Sequence, residues 1–262
     1  MSIVMHQQRQ PERAALIRHT MRKGLNSNTM KYIAAAAMLL DHIAWAFLPL
    51  SSVWAQLLHC IGRISAPLFC FCLTESYFNT RNRKKFLRRV GIFAAISHFP
   101  YVLFQMGTPP TGLTDVRLWE QTSILFTFLI AILLLNVVNW PYRTWKQIFL
   151  LALLCVCSFW GDSHFYGVLW VLGFAKFRGN VRWRTLWYYL IVLLSLMPLL
   201  RTTGKDPSAL LPQAYQLGLL VPPLLFGTYS GRRGSKKPLH KWFFYVFYPA
   251  HLLLLALLQF WL

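Results

Sequence analysis

Acidic residues are scarce: seven Asp and Glu against 27 Lys and Arg in 262 residues, and only 13% of the chain is charged. With 56% hydrophobic residues and a mean hydropathy of +0.43, the sequence lacks the polar surface of a soluble domain and reads as a polytopic membrane protein. It also lacks the usual motifs of chemistry. G-x-x-x-x-G-K-[ST] and G-x-G-x-x-G are absent, so nucleotide hydrolysis and dinucleotide binding have no support. H-E-x-x-H and G-x-S-x-G are absent, so neither metal nor serine hydrolysis has a direct signal. The five cysteines (Cys60, Cys70, Cys72, Cys155 and Cys157) all lie in apolar runs, without zinc-finger spacing or nearby ligands. They read as small apolar fillers rather than as a disulfide framework or a metal site. No internal repeat is visible, which counts against a transporter built from matched halves.

What is present is a series of apolar runs. A helix needs about 20 apolar residues to cross a bilayer. Nine runs are near this length: 32–50, 53–77, 88–106, 122–139, 146–160, 164–176, 184–200, 209–228 and 242–261. The sixth is short. The expected fold is therefore all-α, a polytopic integral membrane helix bundle of about nine transmembrane helices over 31–262, preceded by a basic cytoplasmic segment at 1–30. The first run is too long for a signal-peptide core and contains Asp41, so it is expected to stay as a span. Pro198, Pro222 and Pro223 should kink the spans that hold them. The net charge of +20 does not point to nucleic acid, because the basic residues sit in the gaps between runs rather than along one face. Their bias sets the orientation. The N-terminal side of this topology carries 23 lysines and arginines; the other side carries only Arg117, Arg201 and Lys205. The N-terminus is thus expected inside and the C-terminus outside, with Trp, Tyr and Phe, 16% of the chain, at the lipid interfaces.

Residues 38–45 read MLLDHIAW, an aspartate and a histidine inside the first run. A helix rises 1.5 Å per residue, so Asp41, ten residues past Lys31, lies about 15 Å deep. Arg63, His98 and His251 also lie ten residues into their runs, at about the same depth. Ionisable groups in a membrane face the bundle interior and find one another. Adjacent residues on a helix point in different directions, so Asp41 is expected to pair with Arg63, leaving His42 free to act on a substrate. Tyr248 and His251, three apart, share a face. Glu75, near the cytoplasmic end of its run, reads as a solvated or locally paired acid. Asp162, His164 and Tyr166, in the short outer stretch GDSHFYG, read either as an ordinary exposed loop or as an outer substrate mouth. The basic run 80–89 reads as lipid contact or as a cradle for an anionic cytoplasmic cofactor, through Arg81, Lys84, Arg88 and Arg89.

Six stretches taken together resemble the TraX family, conjugal-transfer proteins associated with N-terminal acetylation of F-type pilin. They are MLLDH (38–42), IGRISAPLFCF (61–71), TRNRKKFLRRVGIFAAISHFPY (80–101), SILFTF (123–128), DSHFYGVL (162–169) and FYPAHL (247–252). The resemblance implies a multi-pass bacterial inner-membrane acetyltransferase that uses acetyl-CoA as acyl donor, without a metal, and acts on pilin or another membrane or extracytoplasmic acceptor. The family's Asp-His falls on Asp41 and His42, its Gly-Arg on Gly62 and Arg63, and its Tyr-x-x-His on Tyr248 and His251. Two positions depart from the family pattern: Ser123 stands where Asn is usual, and Ser65-Ala66-Pro67 where Ala-Phe-Pro is. In the expected mechanism a neutral histidine, His42 by preference and His251 next, takes a proton from the acceptor as general base. Arg63 steadies the thioester oxygen, and Asp41 sets the position of Arg63. Rival readings are an acyltransferase for a glycan or lipid head group, a proton-coupled transporter using the same polar groups, and a structural subunit of a secretion machine.

Overall fold

The structure, a computed structural model, describes residues 24–108, 110–112, 114–140, 144–203 and 207–261. Most of the expected N-terminal segment 1–30 lies outside these residues. The described residues contain α-helices and 3₁₀ turns and no strand. The helices are α1 (Ser27–Phe47), α2 (Val53–Gly62), α3 (Ser65–Asn79), α4 (Arg83–Met106), the short α5 (Arg117–Glu120), α6 (Ile124–Val138), α7 (Trp145–Cys157), α8 (His164–Lys176), α9 (Val181–Thr203), α10 (Pro222–Gly227) and α11 (Pro238–Trp261). By length and composition three stretches can cross a membrane: Val53–Asn79, Val181–Arg201 and Pro238–Trp261. These three stretches mark the chain as a membrane protein by length and composition. The helices at Ile124–Val138 and Trp145–Trp160 are apolar but shorter. At 1.5 Å per residue, the 13 residues of α8 reach only about 20 Å, less than the hydrocarbon core.

Helix ends follow local sequence rules. Asn26 caps α1 by accepting from the Thr29 amide, and Asn82 caps α4 by accepting from that of Lys85. Gly107, with φ 61°, closes α4 in the left-handed conformation. One expectation needs refinement and another correction. The run 53–77 stands as one crossing, Val53–Asn79, but it is not a straight helix: α2 ends at Gly62 and α3 begins at Ser65, with Arg63 and Ile64 between them still in helical conformation. Pro67 explains this, because a proline ring in a continuous helix collides with the carbonyl four residues earlier, here that of Arg63. The run 209–228 is not an α-helix either. Residues Pro207–Leu220 form a long 3₁₀ segment, Pro212 lies within it, and Pro222-Pro223 start α10. Prolines suit a first helical turn, where their missing amide is not needed. By contrast, Pro198 lies inside α9.

α11 packs against α4 and α1, α1 against α2 and α3, and α2 against the 3₁₀ segment; α6 joins α4 to α8, and α9 covers α8. One end of the bundle is sewn by main-chain bonds from Leu25, Ser27 and Asn28 to Thr228, Arg232 and Arg233. Arg117, in the loop between α4 and α6, is neutralised by Asp115, at 2.7 Å. Hydrogen bonds from Arg117 hold the Asp115 carboxyl below the usual carboxylate range. The cysteines are free: Cys70 and Cys72 are buried, and Cys155 is exposed.

Candidate functional site

Two cavities enter the bundle from opposite ends. The first is basic. Its volume is about 210 Å³, and its lining includes Lys31, Arg89, Arg233, Lys237 and Lys241. Glu75 is the one carboxylate among its described lining residues, and Arg178 holds it at 2.8 Å. The cavity is therefore left with unneutralised positive charge. Lys31 Nζ lies 3.3 Å from Ser76 Oγ. Of the four cations expected in the cradle only Arg89 lines this cavity; Arg81, Lys84 and Arg88 do not. Residues 229–241 supply Arg233, Lys237 and Lys241, because this stretch folds back over the start of α1.

The second cavity is larger, about 570 Å³, and mixed in polarity. α1 contributes Asp41 and His42. The α2–α3 break contributes Gly62, Arg63 and Ser65; the α7–α8 link and α8 contribute Asp162, His164 and Tyr166. The two cavities share three wall residues, Met38, Ile124 and Tyr248, and so adjoin at a waist. All three are nearly buried.

His42 lies beside the waist in a relay. Its Nδ1 is 2.8 Å from His251 Nε2, and His251 Nδ1 is 2.7 Å from the carbonyl oxygen of Phe247. A carbonyl can only accept, so His251 carries its proton on Nδ1. Neutral His251 must then accept at Nε2, and His42 must donate from Nδ1. That leaves the lone pair of His42 on Nε2, which has no hydrogen-bond partner among the described residues. Phe247 stacks on His251 with centroids 4.6 Å apart, and Phe104 flanks His42 at 5.2 Å. Both ring nitrogens of His251 are engaged, one by the Phe247 carbonyl and one by His42.

Asp41 does not pair with Arg63. Its Oδ1 accepts from His59 Nδ1 at 2.8 Å. Gly62 explains the close approach, because a Cβ there would collide with the Asp41 side chain. Arg63 instead stacks on the Tyr215 ring, 4.9 Å from its centroid. His59, fully buried, went unnoticed in the sequence, although it lies four residues before Arg63 on the same helical face. His98 lines neither cavity; its ring lies near Trp119.

At the mouth, Tyr101 donates to Asp162 at 3.0 Å, and Gln105 donates to Tyr101 at 3.1 Å. Water reaches Asp162 through the cavity, yet the surrounding protein pushes its carboxyl above the usual range, against the pull of the Tyr101 hydroxyl and Arg63. His164 donates from Nδ1 to the Phe159 carbonyl at 2.9 Å. Its φ of 44° is unusual for a residue other than glycine, a strain of about 1 kcal/mol that tends to collect at functional sites. Tyr166 makes a long contact, 3.5 Å, with the Leu194 carbonyl. Ser123 is not on the cavity wall: it is fully buried at the start of α6, and its neighbour Ile124 lines the waist.

Fold and site together define a class: a helical membrane protein with a histidine relay where two cavities adjoin. The chain belongs to the TraX family, whose model, described as TraX protein, matches residues 26–259. It is 32% identical, over 87% of its length and 93% of the relative's, to the probable fimbrial assembly protein FimC, serogroup H1, of Dichelobacter nodosus. No solved structure matches it.

Proposed function

We propose that this protein is an acetyl-CoA-dependent acyltransferase of the bacterial inner membrane that acetylates an acceptor amine, the N-terminus of a pilin subunit. The observation that carries this reading is the position of the free His42 Nε2, beside the waist where a basic cavity and a polar cavity adjoin. Nine crossings, with the N-terminus cytoplasmic and the C-terminus periplasmic, put the basic cavity on the cytoplasmic side, in keeping with the charge bias of the loops. The fimbrial assembly protein among the relatives supports an acceptor in the pilus.

Acetyl-CoA brings an acetyl group activated as a thioester. Lys31, Arg89, Arg233, Lys237 and Lys241 suit its phosphates at the cytoplasmic mouth, and the apolar waist suits its thin arm. The acceptor enters the polar cavity. His42 Nε2 takes a proton from the amine as its nitrogen bonds to the acetyl carbon, and returns it to the sulfur when the carbon–sulfur bond breaks. His251 holds the imidazole in the required tautomer throughout. Arg63, without a carboxylate partner among the described residues, steadies the acetyl oxygen as it gains charge.

The test is intact-mass analysis of pilin and other membrane peptides from cells with the wild-type protein, with His42→Gln, and with none. One acetyl group should appear on a peptide N-terminus only with the wild type. Its presence with a normally inserted H42Q variant would remove His42 from the role of base.

A further inference from the structure

The environment of Arg63 is unusual for a guanidinium at membrane depth. It lines the polar cavity, and no ion pair to a carboxylate is found for it among the described residues. Its Nε is buried without a hydrogen-bond partner. An uncompensated arginine in such a place is costly, and the nearest remedy, Asp41, packs against Gly62 immediately before it. Two residues keep the guanidinium from that remedy. His59, one turn before Arg63, engages Asp41 Oδ1 at 2.8 Å. Tyr215 lies under the guanidinium, at 4.9 Å, and compensates its charge with the face of its ring, which offers no competing anion. Tyr215 is itself fixed: its amide donates to Gln56 Oε1 at 3.1 Å, and its ring contacts His59 at 5.5 Å. Gly218 completes the seat, because a Cβ there would strike the Cys60 carbonyl.

We infer that His59 and Tyr215 are positioning residues that hold Arg63 unpaired, His59 by occupying Asp41 and Tyr215 by underlying the guanidinium. The inference rests on Arg63 acting as the donor to the acetyl oxygen in the proposed reaction. An arginine locked to a carboxylate has its best donors engaged and its charge neutralised, so releasing Asp41 should switch Arg63 off without removing it.

The experiment uses the full chain in proteoliposomes with labelled acetyl-CoA and an N-terminal pilin peptide, comparing kcat and KM. His59→Phe keeps a ring but loses the donor; kcat should fall at least tenfold with the acetyl-CoA KM unchanged. His59→Asn retains an N–H near the Nδ1 position and should recover most of the rate. Adding Asp41→Asn to H59F should also restore activity, because the competing charge is gone. Tyr215→Leu should lose activity, and Tyr215→Phe should keep it. Equal rates for H59F and wild type, or no recovery in the H59F/D41N double variant, would overturn the assignment to His59. Equal rates for Y215L and Y215F would overturn that to Tyr215. If H59F does not insert, H59N and the two Tyr215 variants decide the matter: an H59N rate as low as that of an Arg63→Ala control would count against it. A wild-type protein with no transfer at all would instead remove the acetyltransferase reading.

Discussion

Replacing His251 with Phe tests the relay most sharply. The ring and its stack on Phe247 survive, but the acceptor for His42 Nδ1 is lost. A buried N–H left without a partner costs about 1–3 kcal/mol. His42 escapes that cost by turning away or by shifting its proton to Nε2, and either move removes the base from the cavity. If the penalty falls on the productive tautomer, the rate falls by about fivefold to a hundredfold, at 1.4 kcal/mol per factor of ten. His251→Gln, whose amide oxygen accepts a hydrogen bond, should recover part of the loss. The assay is initial-rate transfer of labelled acetyl groups to a pilin peptide by reconstituted protein, with insertion checked by detergent-solubilised thermal melting. A folded H251F variant as fast as wild type would refute the tautomer argument, whatever happened to H42Q.

Other outcomes follow from the same geometry. Alanine at Arg233, Lys237 and Lys241 together should raise the acetyl-CoA KM at least tenfold and flatten its salt dependence, since each phosphate contact contributes about 1 kcal/mol. Alanine at Arg81, Lys84 and Arg88 should change KM by no more than about twofold, because none of the three lines the cavity. Gly62→Ala should destabilise the protein by about 1–3 kcal/mol and abolish transfer, since its Cβ needs the space of the Asp41 carboxylate; a melting curve and an activity assay check both. Glu75→Ala should lower the melting temperature and leave kcat within about threefold, because it removes the partner of Arg178 at the far end of the basic cavity from His42.

Much of this was legible in the sequence, for identifiable reasons. Counting residues along a rigid helical rise brings positions 41–42 and 251 to one layer, and the structure joins His42 to His251 directly. The pairing of Asp41 was misread because depth was treated as enough to choose a partner. His59 is nearly one helical turn shallower, but it lies on the face that Gly62 opens toward Asp41. The break at Arg63 was readable from Pro67, four residues on, yet the unbroken apolar pattern concealed it. The run 209–228 is apolar enough for a span, and composition alone did not separate an α-helix from a 3₁₀ segment interrupted by Pro212 and Gly218. Charge density pointed to 80–89 for the cradle. The structure draws most of the cavity's cations from 229–241, because main-chain pairing of Leu25 and Ser27 with Thr228 and Arg232 pulls that linker across the entrance, a long-range contact with no local signature.

Sidedness tests the central claim most directly. In vesicles of uniform orientation, labelled acetyl-CoA is added only to the side bearing Lys31, Arg233 and Lys241, with the pilin peptide only on the other side. Two cavities that share a waist at His42 predict acetylated peptide, and none when the two are exchanged. Equal transfer in both arrangements, or transfer only in the reverse one, would contradict it.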